Sequence, residues 1–218
     1  MAKVISIEEA VGLIPDGATI MCGGFLGCGG AHRILDSLAK KGVNNLTIIA
    51  NDSPPTGYSH SKLIDNKQVK KLIASHVGMN PNVASQMNSG EMEVVLIPQG
   101  SLVEMIRAGG AGLGGVLTPT GLGTMVAEGK QVVNIEGRDY LLEKPIRADF
   151  ALLSGYKVDR MGNIWYKGTT KNFSPLMAMA ADTVICEAEH LVEIGEIEPE
   201  NVMTSGIFVD YIVNGGSL

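Results

Sequence analysis

The residues best suited to chemistry lie between a short apolar run and a helical pattern. Gly23-Gly24-Phe25-Leu26-Gly27-Cys28-Gly29-Gly30 holds five glycines in eight positions. Residues 18–22 before it are strand-like. Residues 31–41 after it put Ile34, Leu35 and Leu38 on one helical stripe, and Gly42 supplies a stop. Glycines at a strand-to-helix turn let the backbone approach a ligand, and bare N–H groups at a helix N-terminus attract an anion such as phosphate. The same residues also fit a tight turn with no ligand. Cys28 lies inside this loop near a helix start, where a thiol pKa is lowered. Its size and setting favour the role of a small apolar filler.

Other motifs fail when tested. The dinucleotide fingerprint needs a small residue where His32 stands, although Asn51-Asp52 falls near the place of a ribose-binding acid. Gly129-Lys130 is followed by Gln131, so there is no Walker A loop, and no G-x-S-x-G elbow occurs. His32, His60, His76 and His190 are scattered without metal-ligand spacing, so no metal site is expected. Glu91, Glu104, Glu128, Glu187 and Glu189 sit near strand ends or helix starts. None has the apolar, glycine-flanked setting of a poised nucleophile. The chain reads as one with ligand-binding loops and no catalytic nucleophile of its own.

The elements that must position these residues alternate along the chain. Ser6 and Glu9 form a capping box that opens a helix to Ile14. Apolar strands read at residues 46–50, 69–75 and 93–97, after the first at 18–22. A short helix fits residues 60–65, and Asn80-Pro81 opens another that Gly90 stops. Pro98-Gln99-Gly100 reads as a turn, and Ser101 to Glu104 as a second capping box whose helix ends at Ala108-Gly109. Residues 109–123 carry seven glycines and one proline. They read as an ordered, non-helical loop, poor as a strand, packed against something such as a partner chain. Residues 131–135 and 139–142 form a hairpin across Glu136-Gly137. Further strands read at 149–154, 163–166 and 183–187, with a helix from Ser174-Pro175 to Ala181. Beyond Glu196, turns surround one apolar run at 207–213. Strands apolar on both faces imply a parallel sheet covered twice. The expected fold is α/β, a Rossmann-like three-layer sandwich with a mainly parallel sheet plus a small β-hairpin region, in one domain over 1–218.

Composition narrows the setting. A net charge of −6 without a basic stripe argues against a nucleic-acid partner. No apolar run is long enough to span a membrane, and no signal-type segment opens the chain. Cys22, Cys28 and Cys186 are odd in number and lack C-x-x-C spacing, which reads as reduced thiols in the cytoplasm. The 28 glycines and 11 methionines in a chain 45% hydrophobic hint at buried surface beyond a monomer's needs.

Residues 16–25 (DGATIMCGGF) followed by Gly29 resemble the first signature of the family I coenzyme A transferases. Residues 98–112 (PQGSLVEMIRAGGAG) and Thr118-Pro119-Thr120-Gly121 resemble its second block. The likeness spans nearly the whole chain and is to the alpha subunit of the acetate, butyrate–acetoacetate or 3-oxoacid type. Ala31 departs from the pattern, which has a helix-starting proline there. The resemblance implies ping-pong transfer through a glutamyl-CoA thioester on a partner beta subunit. CoA would be a substrate, with no cofactor bound permanently. By the same likeness Gly23, Gly24, Phe25, Leu26, Gly27, Cys28 and Gly29 form the CoA-binding segment. Gln99 would hydrogen-bond the partner's glutamate or the acyl oxygen, with Asn51 in support. Residues 109–123 would shape a small acyl pocket and meet the partner. A dicarboxylate transferase of the glutaconate or succinate type is the alternative enzyme. A non-catalytic nucleotide-binding module is the alternative of another class.

Overall fold

The computed structural model describes residues 2–215; Met1 and 216–218, the ends of the expected domain, lie outside them. The first half alternates strands and helices as the apolar runs imply: β1 (Lys3–Ile5), α1 (Ile7–Gly12), β2 (Thr19–Cys22), α2 (His32–Lys41), β3 (Leu46–Ala50), α3 (Ser61–Asp65), β4 (Val69–Ala74), α4 (Pro81–Ser89), β5 (Glu93–Leu96) and α5 (Gln99–Ala111). Then come β6 (Val116–Thr118), β7 (Val132–Ile135), β8 (Arg138–Glu143), β9 (Ala148–Asp159), β10 (Ile164–Trp165), α6 (Ser174–Met179), β11 (Ala181–Val192) and β12 (Tyr211–Asn214). β1 was not legible as a strand. It earns its place only by parallel pairing with β12, Lys3 opposite Tyr211.

The large sheet has the order β1-β12-β11-β9-β2-β3-β4-β5, every neighbouring pair parallel, with β10 antiparallel on β9. Successive side chains point to opposite faces. Ile20, Cys22, Ile48, Ala50 and Leu152 face a core shared with α1 to α4, where Ile34, Leu35 and Leu38 of α2 are fully buried. Met21, Ile49, Ala151 and Leu153 face a second core with Leu102 and Ile106 of α5 and Met177 of α6. Helices therefore cover both faces, which is the three-layer arrangement expected. Each fully buried Leu or Ile contributes about 1.5–3 kcal/mol.

Three local expectations need correction. Gln99 is not in a turn: it is the first residue of α5, whose N-cap is Pro98. Ser101 and Glu104 do not form a capping box. The Ser101 hydroxyl is buried without a hydrogen bond, and Glu104 pairs with Arg107. Nor is the glycine-rich segment all loop. Gly109 and Gly110 lie inside α5, which ends at Gly112 with φ 70°, and β6 forms a strand on β8. The reason is close approach. A Cβ on Gly109 would lie 2.0 Å from the Ile146 carbonyl oxygen, so the helix reaches its neighbours only without side chains there. The hairpin forms across Glu136-Gly137 as expected, and β6 extends it to the three-stranded sheet β6-β8-β7.

Candidate active site

In an open parallel sheet, ligands bind beyond the carboxyl ends of strands where the connection order reverses. Here that point is β2, flanked by β3 on one side and β9 on the other. The glycine loop leaves β2 at this crevice. Phe25 and Cys28 exchange two backbone hydrogen bonds of 3.0 and 2.9 Å, and Leu26 and Gly27 between them have φ 49° and 81°. This is the geometry of a two-residue hairpin turn with left-handed corners. Gly27 also permits contact with Tyr58, since a Cβ would sit 2.3 Å from that ring. Phe25 and Cys28 are exposed at the tip. Cys28 is thus not a core filler; its sulfur lies 3.9 Å from the Thr169 hydroxyl.

The loop's amides are largely committed to the protein. Those of Gly23, Phe25, Cys28 and Gly30 bond backbone carbonyls. The Leu26 N–H donates to Asp52 Oδ1 at 3.0 Å. At the start of α2 the expected anion is the protein's own: the Arg33 and Ile34 amides donate to Glu187 Oε2 at 2.9 and 3.0 Å. Glu187 comes from β11 and is 8% exposed. Burial raises its pKa, and the two amide bonds oppose that rise. It is a buried carboxylate beside glycine backbone and the Arg33 side chain, a setting the sequence did not reveal. Its contacts lie 153 and 154 residues away, and only an acid closing the apolar run of residues 183–187 hinted at it.

A cavity of about 260 Å³ opens beside this cap, lined by Gly29, Gly30, His32, Arg33, Lys167 and Glu187 among others. The His32 ring packs against Tyr58 with centroids 4.7 Å apart. Burial lowers its pKa, while Asp36 and a backbone hydrogen bond to Gly27 push the other way. Lys167 lies over the Tyr156 ring, 4.5 Å from its centroid. The cavity therefore mixes cationic and anionic walls with glycine backbone.

The structure brings Asn51 to this edge and leaves Gln99 further along it. Asn51 follows β3 directly, one strand from the loop, and is buried. Its Nδ2 donates to Asn172 Oδ1 at 3.3 Å. Asn172, with φ 42°, belongs to a segment that sequence reasoning passed over. Gln99 is exposed at the start of α5, beyond β5. Two strand spacings, roughly 10 Å, separate β5 from β3. Beneath the loop, His60 Nε2 donates to the Asp52 carbonyl at 2.8 Å, and complete burial pushes the imidazole pKa down to about 4. Among the described residues no cluster of His, Cys, Asp and Glu is arranged to hold a metal ion.

The chain as a whole matches known proteins. The family described as coenzyme A transferase matches residues 4–215, and the chain belongs to it. It is 54% identical over 214 residues to the acetoacetyl-CoA:acetate/butyrate CoA transferase alpha subunit of Clostridium acetobutylicum, covering 97% of each chain. It is 48% identical over 211 residues to the acetate CoA-transferase subunit alpha of Escherichia coli K12, covering 97% of this chain and 96% of that one. An acyl-CoA transferase crystal structure from Escherichia coli O157:H7 superposes with a TM-score of 0.86 at 24% identity, over 97% of this chain and 46% of that longer chain.

Proposed function

We propose that this chain is the alpha subunit of a cytoplasmic enzyme that moves CoA between a short-chain acyl-CoA and a short-chain carboxylate. Acetoacetyl-, butyryl- and acetyl-CoA are the donors in view, and CoA is a substrate. The carrying observation is the 54% identity, over almost the whole of both chains, to a protein named for that reaction. The free state of Cys22, Cys28 and Cys186 fits a reducing compartment.

In the proposed cycle a glutamate on the beta subunit attacks the thioester carbonyl. The acid leaves, CoA remains as a glutamyl thioester, and a second carboxylate then takes the CoA. This chain supplies the surroundings. The glycine turn, with Phe25 and Cys28 exposed at its tip, approaches the CoA ester. Asn51 and the Gln99 amide donate hydrogen bonds where negative charge develops. Glu187, the carboxylate here that most resembles a nucleophile, is already held by two amides. That supports placing the nucleophile on the other subunit. Leu113, Leu117, Met125, Val132 and Ile135 are exposed on and around the small antiparallel sheet. Such a patch is the proposed contact with the beta subunit in a heterotetramer or larger assembly.

The test is an assay of the co-expressed alpha and beta subunits against acetate, butyrate, acetoacetate, succinate and glutaconate. Preference for the monocarboxylates and 3-oxoacid is expected. Preference for succinate or glutaconate would overturn the acyl assignment. Transfer by the alpha chain alone, lost in Glu187→Gln, would overturn the division of labour.

A further inference from the structure

Asp52 follows Asn51 in the chain, yet its carboxylate is used elsewhere. The side chain is 1% exposed. Oδ1 accepts the Leu26 N–H, 26 residues away, at the corner of the glycine turn. Oδ2 is buried with no hydrogen bond. The Asp52 main chain is pinned from two sides: its carbonyl accepts from His60, and it bridges in parallel to His76 beyond β4. A carboxylate kept from water with one oxygen unpaired is costly to hold, and one amide bond does not offset that cost. An amide donating to a charged acceptor inside a protein is, however, a strong and directional constraint.

We propose that Asp52 is a positioning residue for the CoA ester: it ties the glycine turn to the end of β3, so that the loop and Asn51 move as one piece. The inference rests on the reading of the loop as the CoA-binding segment. Gly27 occupies left-handed backbone at no cost, but Leu26 does so as a non-glycine residue and leaves it readily unless held. The Asp52 bond holds the corner where the turn meets Tyr58 and Ser59. Without that acceptor the half-buried Leu26 amide would turn to solvent, and the turn would relax away from the crevice. Asp52→Asn keeps an oxygen at the same place; Asp52→Ala does not.

The experiment uses the co-expressed alpha and beta complex with acetoacetyl-CoA and acetate. Asp52→Ala is expected to raise KM for the CoA ester roughly tenfold, the loss of one hydrogen bond from an amide to a charged acceptor. The acetate KM should hold, and Asp52→Asn should recover most of the loss. Phe25→Ala, at the exposed tip of the loop, tests the underlying reading separately by its own rise in KM for the CoA ester. If Phe25→Ala raises that KM and Asp52→Ala does not, the positioning role is overturned and the loop reading stands. If neither moves it, both fall. If Asp52→Ala does not assemble, hydrogen exchange of the Leu26 amide in the wild-type and Asp52→Asn complexes decides. Protection in both supports the tie, and fast exchange in the wild type overturns it.

Discussion

His60 carries the sharpest consequence at the scale of single residues. It is neutral in the fold, with its pKa pushed down to about 4 by burial. In the unfolded chain it protonates near 6.5. Between those values the unfolded state binds the extra proton, so stability falls as pH drops from 6.5 towards 4, by at most about 3 kcal/mol. Asp52 and Glu187 act in the opposite sense, because burial raises their pKa and acidification relieves that cost. Urea unfolding at pH 7 and pH 5 should therefore show a smaller loss in His60→Gln than in the wild type, since both share the carboxylate effects. Gln99→Ala should lower kcat by roughly a hundredfold, the usual cost of one oxyanion donor, with the complex still assembled on gel filtration. At this scale the glycine turn was legible as a local pattern, whereas Asn51 entered only through the family resemblance. The sequence could not show Glu187 capping α2, Asn172 beside Asn51 or Asp52 beneath the turn. Each depends on a partner that only the folded chain brings near.

The elements teach the same lesson through packing. α5 runs through Gly109 and Gly110, residues that read as helix-ending, because Ile146 and Met179 press against it there. Intrinsic propensity disfavours glycine in a helix by about 1 kcal/mol, and the fit overrides it. Gly109→Ala should thus destabilise by roughly 1–3 kcal/mol through overpacking. Gly12→Ala is the counterpart: nothing lies within 4 Å of a Cβ there. It ends α1 and should gain about 0.5–1 kcal/mol. Thermal melts of the two variants, read side by side, check the contrast. β6 escaped sequence reading because its alternation spans three residues and its identity comes from β8. α1 and α4 were legible because their caps are local: Ser6 and Glu9 bond each other's amides, and Asn80 accepts from Asn82.

Across the whole molecule, the doubly covered parallel sheet was visible in the unbroken apolar strands, while its order was not. Order depends on which distant strands meet: β9 inserts beside β2 across more than a hundred residues, Ile20 opposite Phe150. The exposed apolar side chains around β6 and β7 are the surface proposed above to meet the beta subunit. Met125 is 82% exposed and Leu117 40%. Replacing both with lysine should reduce recovery of the beta subunit in co-purification while the thermal melt of the alpha chain is unchanged. Equal recovery would move the contact elsewhere.

The pairing of β1 with β12 has a kinetic meaning. During synthesis the first strand leaves the ribosome early, yet its only partner among the described residues comes from residues 211–214. Until then both β1 and the outer edge of β11 present unpaired backbone, the condition that invites association between chains. Contacts this far apart in sequence also close slowly. A chain ending after Asp210 should accordingly stay collapsed but sticky, with light scattering rising during refolding where the longer chain stays clear. The strand hardest to foresee is thus the one that registers whether residues 211–214 have been made.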